Sequence, residues 1–149
     1  MSGIVIFGFE INLLFFFHFV GIIIGLGAVT VIDSMGFIAR KSKKWTQTTI
    51  EAHHVTKPLI WIGTIVVLIT WILMLFFIEN LIFTIVKSIL LAILIINGAF
   101  LSFYVSPRLD RLSGKNVLLP LELQIKITIS MLISFTCWWV FVFLTFGVV

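Results

Sequence analysis

Four long apolar segments constrain this chain more than any other feature of its sequence. They occupy approximately residues 11–39, 58–78, 81–105 and 127–149. Each can cross the hydrocarbon core of a bilayer, which takes about 20 helical residues. Because their apolar residues run continuously and do not alternate with polar ones, the segments predict helices and not the strands of a barrel. We therefore predict an all-α fold, an integral membrane four-helix bundle that forms a single transmembrane domain over residues 1–149.

Charged residues are too scarce for an ordinary soluble domain. They make up 11% of the chain, against about 25% in typical soluble proteins. The N-terminal residues show neither a positively charged leader nor a small-residue cleavage site, so we expect the first segment to stay as a membrane anchor. The single cysteine, Cys137, excludes an intramolecular disulfide and any CxxC motif for a metal or a c-type heme.

The basic residues predict an orientation in the membrane. The connection between the first two spans carries Arg40, Lys41, Lys43, Lys44 and Lys57. The connection between the last two carries Arg108, Arg111 and Lys115. The connection between the second and third spans offers only Glu79 and Asn80. The positive-inside rule places both basic connections in the cytoplasm and both termini outside. We expect a bacterial or archaeal cytoplasmic membrane, with anionic lipid and not nucleic acid as the partner of the basic residues.

His18 is the most informative polar residue of the first span. At 100° per residue, Gly25, Val29 and Gly36 lie within about 20° of it, so His18 is predicted on a glycine-lined inner face. Gly21 and Gly25 form a small-xxx-small pattern, which lets another helix approach closely. One interpretation of His18 is a hydrogen bond to Asn97, or to a serine or threonine of another span. The other is an axial ligand to a heme iron.

Lys87 enters the third span from the same predicted outer side as His18. It lies about 9 Å along the helix from Leu81, so its amine can reach the depth of His18. It could instead extend to the outer surface, or pair with Glu10 or Glu79. As a second iron ligand it would act as the free amine, the form that burial favours.

Three further polar residues lie toward the predicted cytoplasmic side. His53 and His54 are adjacent, so a helix would point them about 100° apart, which weakens them as one metal site. We expect them to pack at the interface, with a surface copper or proton site as the alternative. Asp33 is expected to form an ion pair in the headgroup zone, with Arg40, Lys57 or Lys126. A proton-relay role is the alternative.

The arrangement of these residues resembles one known group. The first span contains LLFFFHFVG around His18, the third contains IFTIVKSILLAIL around Lys87, and the second reads KPLIWIGTIVVLITWILM. This pattern, over about the first 105 residues, is similar to the HemJ and CopD-like group of small four-helix membrane proteins. The resemblance implies that His18 and Lys87 are the ligands of a heme b. The proline–arginine pair usual after the first helix of that group is replaced here by VIDSMGFIAR.

These observations lead to three hypotheses about function. The first is a small membrane protein that binds heme b between its first and third helices, for electron transfer or a membrane redox step. The second is a non-enzymatic accessory subunit of a larger membrane complex. The third is a copper-handling protein, although Met35, Met74 and Met131 do not cluster in sequence as a thioether relay would. We expect a homo-oligomer or a subunit of a complex, and the sequence leaves open whether the chain is an enzyme.

Overall fold

The structure is a computed structural model, and it describes residues 2–77, 81–115 and 117–146. All regular elements in these ranges are helical, which confirms the predicted all-α fold. Four helical segments are long and apolar enough to cross a membrane: Ile11–Ala39, Lys43–Met74, Leu81–Asp110 and Leu121–Phe146. The helices are α1 (Ser2–Ala39), α2 (Lys43–Met74), α3 (Leu81–Phe100), α4 (Ser106–Asp110) and α5 (Leu121–Phe146).

The second span begins well before the predicted residue 58. The predicted start at residue 58 is wrong, since Pro58 lies inside α2. The helix begins after Ser42, whose hydroxyl accepts a hydrogen bond from the amide of Trp45 at 3.4 Å. The buried Thr46 hydroxyl also bonds to the carbonyl of Ala39 at 3.0 Å and ties α2 to the end of α1. A polar sequence with good caps thus extends the helix beyond its apolar part.

The third and fourth spans also exceed their predicted bounds. The third does not end at residue 105 but continues from α3 through a π-helical turn, Leu101–Val105, into α4. Pro107 lies in the first turn of α4, directly after this π-helical turn. The fourth span begins at Leu121 and not at residue 127, and Glu122 and Lys126 form an ion pair on its surface.

Glycines bring α1 and α2 together as antiparallel neighbours. A β-carbon added at Gly63 would clash with the backbone of Gly25, and it would lie 2.8 Å from the carbonyl oxygen of Gly21. The small-xxx-small pattern of α1 therefore packs against a third glycine on α2, as the pattern predicted for a close helix approach. Gly25 also leaves room for the Trp138 ring of α5.

Hydrogen bonds set the register of α3 against its neighbours. The indole N–H of Trp61 donates to Ser102 Oγ at 2.8 Å, and that of Trp71 donates to Ser88 Oγ at 3.1 Å, so α2 and α3 are antiparallel. Gln47, near the start of α2, bonds to the carbonyl of Leu112 at 3.1 Å. The two basic connections therefore lie at the same end of the bundle, which we call the basic end.

An apolar core separates the basic end from the opposite end. It contains side chains of all four spans, which share nearly complete burial: Ile22, Val29, Val67, Trp71, Leu91, Leu94, Cys137, Trp138 and Phe141. Most other large apolar side chains of the four spans face outward, as expected for a chain whose solvent is lipid.

Candidate functional site

His18 lies inside the bundle with no exposed surface. Its Nδ1 is 2.7 Å from the hydroxyl oxygen of Thr70 on α2. That hydroxyl also lies 2.7 Å from the carbonyl oxygen of Val66, and when it donates its proton there it accepts from His18. In that arrangement Nδ1 carries the ring proton and Nε2 keeps its lone pair. Nε2 is buried and has no hydrogen-bond partner among the residues that the structure describes.

Aromatic rings surround this imidazole. The centroid of the Phe141 ring lies 5.8 Å from that of His18, and the centroid of the Trp71 ring lies 6.5 Å away. The indole of Trp71 is itself held by Ser88 on α3. The free nitrogen of His18 is thus enclosed by side chains of α2 and α5.

Lys87 reaches the same aromatic cluster from α3. Its side-chain nitrogen Nζ lies 5.3 Å from the centroid of a Trp71 ring, and the side chain is partly buried. His18 and Lys87 therefore contact one indole from two different spans, which fulfils the expectation that they share a depth. The alternative partners Glu10 and Glu79 have side chains outside the described part of the chain.

Asn97 does not bind His18. Its side-chain amide donates to the carbonyl of Ser130 at 2.9 Å and to the hydroxyl of Ser134 at 2.6 Å. Its carbonyl oxygen accepts from the Ser130 hydroxyl at 2.7 Å. Asn97 thus joins α3 to α5, and the interhelical bond considered for His18 is made by a threonine instead. The sequence suggested a polar partner but not which helix would provide it.

Asp33 forms no ion pair with any described residue, so the predicted structural ion pair is wrong. The three cations considered for it have other partners. Arg40 stacks on the ring of Phe37 at 4.2 Å, and Lys57 bonds to Ser106 Oγ at 3.2 Å. Lys126 bonds to Glu122 and to the hydroxyl of Tyr104. One carboxyl oxygen of Asp33, Oδ2, is buried and has no hydrogen-bond partner.

A cavity of about 90 Å³ lies beside Asp33 at the basic end. His53 also lines it, and His53 Nε2 is buried without a hydrogen-bond partner in the described part of the chain. His54 points elsewhere and lies 3.5 Å from Asp110, with both side chains about half exposed. The two adjacent histidines therefore face different surroundings, as their helical spacing predicted. The unpartnered state of His53 and Asp33 depends on tertiary contacts that the sequence does not specify.

A metal site of the copper type finds no support in the described ranges. They contain no group of three or more histidine, cysteine, aspartate or glutamate side chains able to hold a metal ion. Cys137 is a free thiol buried in the apolar core. The candidate residues are thus His18 with Lys87 near the end opposite the basic end, and Asp33 with His53 near the basic end.

No protein-family model, no curated protein and no solved structure matches this chain. Function is therefore inferred from the chain's own residues, foremost from the free ring nitrogen of His18.

Proposed function

We propose that this small four-span membrane protein binds heme b between its first and third helices, with His18 and Lys87 as the iron ligands. The observation that carries the proposal is the unpartnered Nε2 of His18. A ring nitrogen buried without a partner is unfavourable unless something binds it. A neutral imidazole with a free lone pair is the form in which histidine ligates heme iron.

The surroundings of His18 support a ligand role in a second way. Histidines that bind metals generally donate their other ring N–H to an oxygen atom, which fixes the tautomer and the orientation of the ring. Thr70 supplies such an oxygen to Nδ1. Asn97 could have provided a simpler packing partner, but its amide is committed to α5.

Space is the demanding part of the proposal. The rings of Trp71 and Phe141 pack against the imidazole, so a porphyrin needs these rings to move. The two nitrogen donors therefore suit heme iron by their chemistry, whereas the space between them admits a porphyrin only after these rings move.

When bound, heme would supply one-electron chemistry, for electron transfer or for a redox step on a membrane-soluble substrate. The protein's own residues have separable roles. Thr70 holds the imidazole of His18, Lys87 supplies a second nitrogen as the free amine, and the aromatic rings exclude water.

The proposal is tested by the absorption spectrum of protein expressed with ample heme. We expect a Soret band and, after reduction, an α-band, both reduced at least about tenfold in His18→Ala. His54→Ala is the matched control, because His54 is exposed and lies outside the aromatic cluster. Lys87→Met should shift the Soret band, whereas Lys44→Met on the exposed part of α2 should not. A colourless wild-type protein would contradict heme binding.

A second candidate function is that of an accessory subunit in a larger membrane complex. The observation that favours it is the outward face of the third span, where large apolar side chains are unusually exposed: Leu81 72%, Ile82 72%, Ile96 69% and Phe103 81%. Lipid or a partner helix could cover this face. A stoichiometric partner retained in mild detergent, and lost in Ile96→Lys, would favour this function. A solitary protein that carries heme would favour the first.

A further inference from the structure

The cavity at the basic end combines apolar walls with two unsatisfied polar atoms. It lies between α1, α2, α5 and the π-helical turn, and most of its lining is apolar, with Ile32, Phe37, Leu101 and Met131 among the side chains. Asp33 Oδ2 and His53 Nε2 are both buried at residues that line it, and neither has a hydrogen-bond partner within residues 2–77, 81–115 and 117–146. Burying a polar atom without a partner is unfavourable, so these atoms point to something that the cavity receives.

Other polar side chains around the cavity do not satisfy these atoms. The hydroxyls of Thr46 and Thr49 donate to backbone carbonyls of their own region, and the Gln124 amide donates to the carbonyl of Leu119. Arg40, whose side chain also lines the cavity, stacks on Phe37. Neither an ion pair nor a hydrogen bond between Asp33 and His53 occurs in the described structure, so a ligand that satisfies both atoms has to reach each of them separately.

The chemistry of the two atoms defines the ligand. A carboxylate oxygen accepts hydrogen bonds, and an imidazole nitrogen accepts one when the other ring nitrogen carries the proton. Both are therefore satisfied by hydroxyl donors. A cationic head group would pair with Asp33 alone and would meet the like charge of Arg40 in the same cavity. The ligand should thus be uncharged.

The walls and the opening define the rest of the molecule. The lining suits an apolar ring, and Phe37 is 63% exposed at the surface of the bundle, where lipid would lie. A volume of about 90 Å³ accommodates a head group but not a whole lipid, so an apolar tail would leave past Phe37.

We infer that this cavity binds the head group of an alkylhydroquinone, a flat apolar ring with two hydroxyl groups at opposite edges. One hydroxyl donates to Asp33 and the other to His53, while the tail lies in the bilayer. This site is separate from the heme proposed at His18 and does not depend on it.

The first experiment varies the ligand and leaves the protein unchanged. Binding of a short-chain alkylhydroquinone to the protein in lipid nanodiscs is measured by anaerobic titration calorimetry. Its dimethyl ether has the same ring and tail but no hydroxyl donors, and we expect it to bind at least about tenfold more weakly. Equal binding of the ether would overturn the inference. Tighter binding of a monoacylglycerol with the same tail would also overturn it, because that would identify a site for ordinary lipid.

The second experiment uses two pairs of matched variants. His53→Phe should weaken hydroquinone binding at least about tenfold, whereas His54→Phe, one residue along but outside the cavity, should stay within about twofold. Asp33→Leu should also weaken hydroquinone binding at least about tenfold. Asp110→Leu, at an exposed carboxyl, should leave it within about twofold of the wild type. Circular dichroism and gel filtration establish that each variant is folded. If Asp33→Leu does not fold, the histidine pair decides.

Hydroquinone binding at this cavity should not depend on whether heme is bound at His18. His18→Ala protein without heme should bind the hydroquinone as the wild type does. Wild-type protein with a normal heme spectrum and no hydroquinone binding would overturn this inference alone. A colourless protein with the expected hydroquinone binding would overturn only the heme proposal.

Discussion

Thr70 determines which nitrogen of His18 can act as a ligand. When its hydroxyl donates to the carbonyl of Val66 and accepts from Nδ1, Nε2 carries no proton, and Nε2 has no hydrogen-bond partner among the described residues. A single threonine on another span thus orients the ring and leaves one nitrogen lone pair free.

Replacing Thr70 by valine keeps the shape and removes the acceptor. We expect Thr70→Val to lower the free energy of unfolding by about 1–3 kcal/mol, because the buried Nδ1–H loses its partner. If heme binds at His18, its affinity should fall about 10–100-fold. Thr64→Val is the control, since the buried Thr64 hydroxyl bonds only within α2, to Ile60. Reversible denaturation in detergent and heme titration measure the two effects, and equal losses in both variants would contradict the assigned tautomer.

Replacing Asp33 should change the free energy of unfolding in a direction that tells an ion-paired carboxyl from an unpartnered one. If Asp33 were in an ion pair, removing it would destabilise the fold by about 3–5 kcal/mol, since an uncompensated charge would remain. Because its buried oxygen has no partner, we expect Asp33→Leu to raise the free energy of unfolding by about 1–3 kcal/mol. Asp110→Leu, at an exposed carboxyl, should change it by less than about 0.5 kcal/mol. Thermal unfolding in detergent measures both, and destabilisation by Asp33→Leu would indicate a partner.

At the scale of the helix, the glycines of α1 and α2 have very different surroundings. A β-carbon at Gly63 meets the backbone of Gly25, which cannot move aside as a flexible side chain would. A β-carbon at Gly27 or Gly36 meets nothing within 4 Å. Substitution by alanine is therefore expected to disturb the packing at Gly63 and to leave it unchanged at Gly27 or Gly36.

We expect Gly63→Ala to destabilise the protein by about 1–3 kcal/mol or more, because the two helices must separate. Gly27→Ala should be neutral or should stabilise by up to about 1 kcal/mol, since alanine is the better helix former. Unfolding in detergent compares the two. A neutral Gly63→Ala would show that the backbones of α1 and α2 are not in contact there.

The sequence predicted the helices better than their ends. Continuous apolar residues predicted four spans, and the first agrees with residues 11–39. The second begins at Lys43 and not at residue 58, because a capped polar segment extends the helix on the N-terminal side of Pro58. Glycine spacing predicted the inner face of α1, and with it the burial of His18. The choice of Thr70 as its partner needed the register of two helices, which the sequence does not contain.

The partners of Asp33 also could not be predicted from the sequence. Its position near several basic residues predicted an ion pair, yet each cation is held by another ring, hydroxyl or carboxylate. Long side chains choose among partners that only the assembled bundle brings within reach. A pattern of charges therefore indicated that Asp33 was unusual without indicating that it was unpartnered.

In the whole molecule, the two candidate sites lie on opposite sides of the apolar core. His18 and Asp33 belong to the same helix and are separated by about 22 Å along its axis. Between them lie core residues that include Ile22 and Val29, with Val67 and Trp138 from neighbouring helices. A head group bound at the basic end and a heme at the other end would thus meet lipid and solvent from opposite faces of the membrane.

The orientation of the bundle decides which face each site serves. The structure joins both basic connections at one end, since Gln47 of α2 bonds to Leu112 and to Gly114 of the connection after α4. By the positive-inside rule, we expect this end in the cytoplasm and both termini outside. Asp33 and His53 would then be reached from the inner leaflet, and His18 and Lys87 would lie in the outer half.

Single cysteines introduced at Ser42, Asn80 and Ser113 test this arrangement in a Cys137→Ala background, which removes the one native thiol. A membrane-impermeant maleimide applied to intact cells should label Asn80→Cys. It should label Ser42→Cys and Ser113→Cys only after the membrane is opened, because the basic connections face inward. If only Ser42→Cys and Ser113→Cys are labelled in intact cells, the whole bundle has the opposite orientation in the membrane. His18 would still lie beside Lys87, and Asp33 beside His53. Labelling of Asn80→Cys and Ser42→Cys from the same side would contradict the antiparallel arrangement, and with it the meeting of His18 and Lys87 at Trp71.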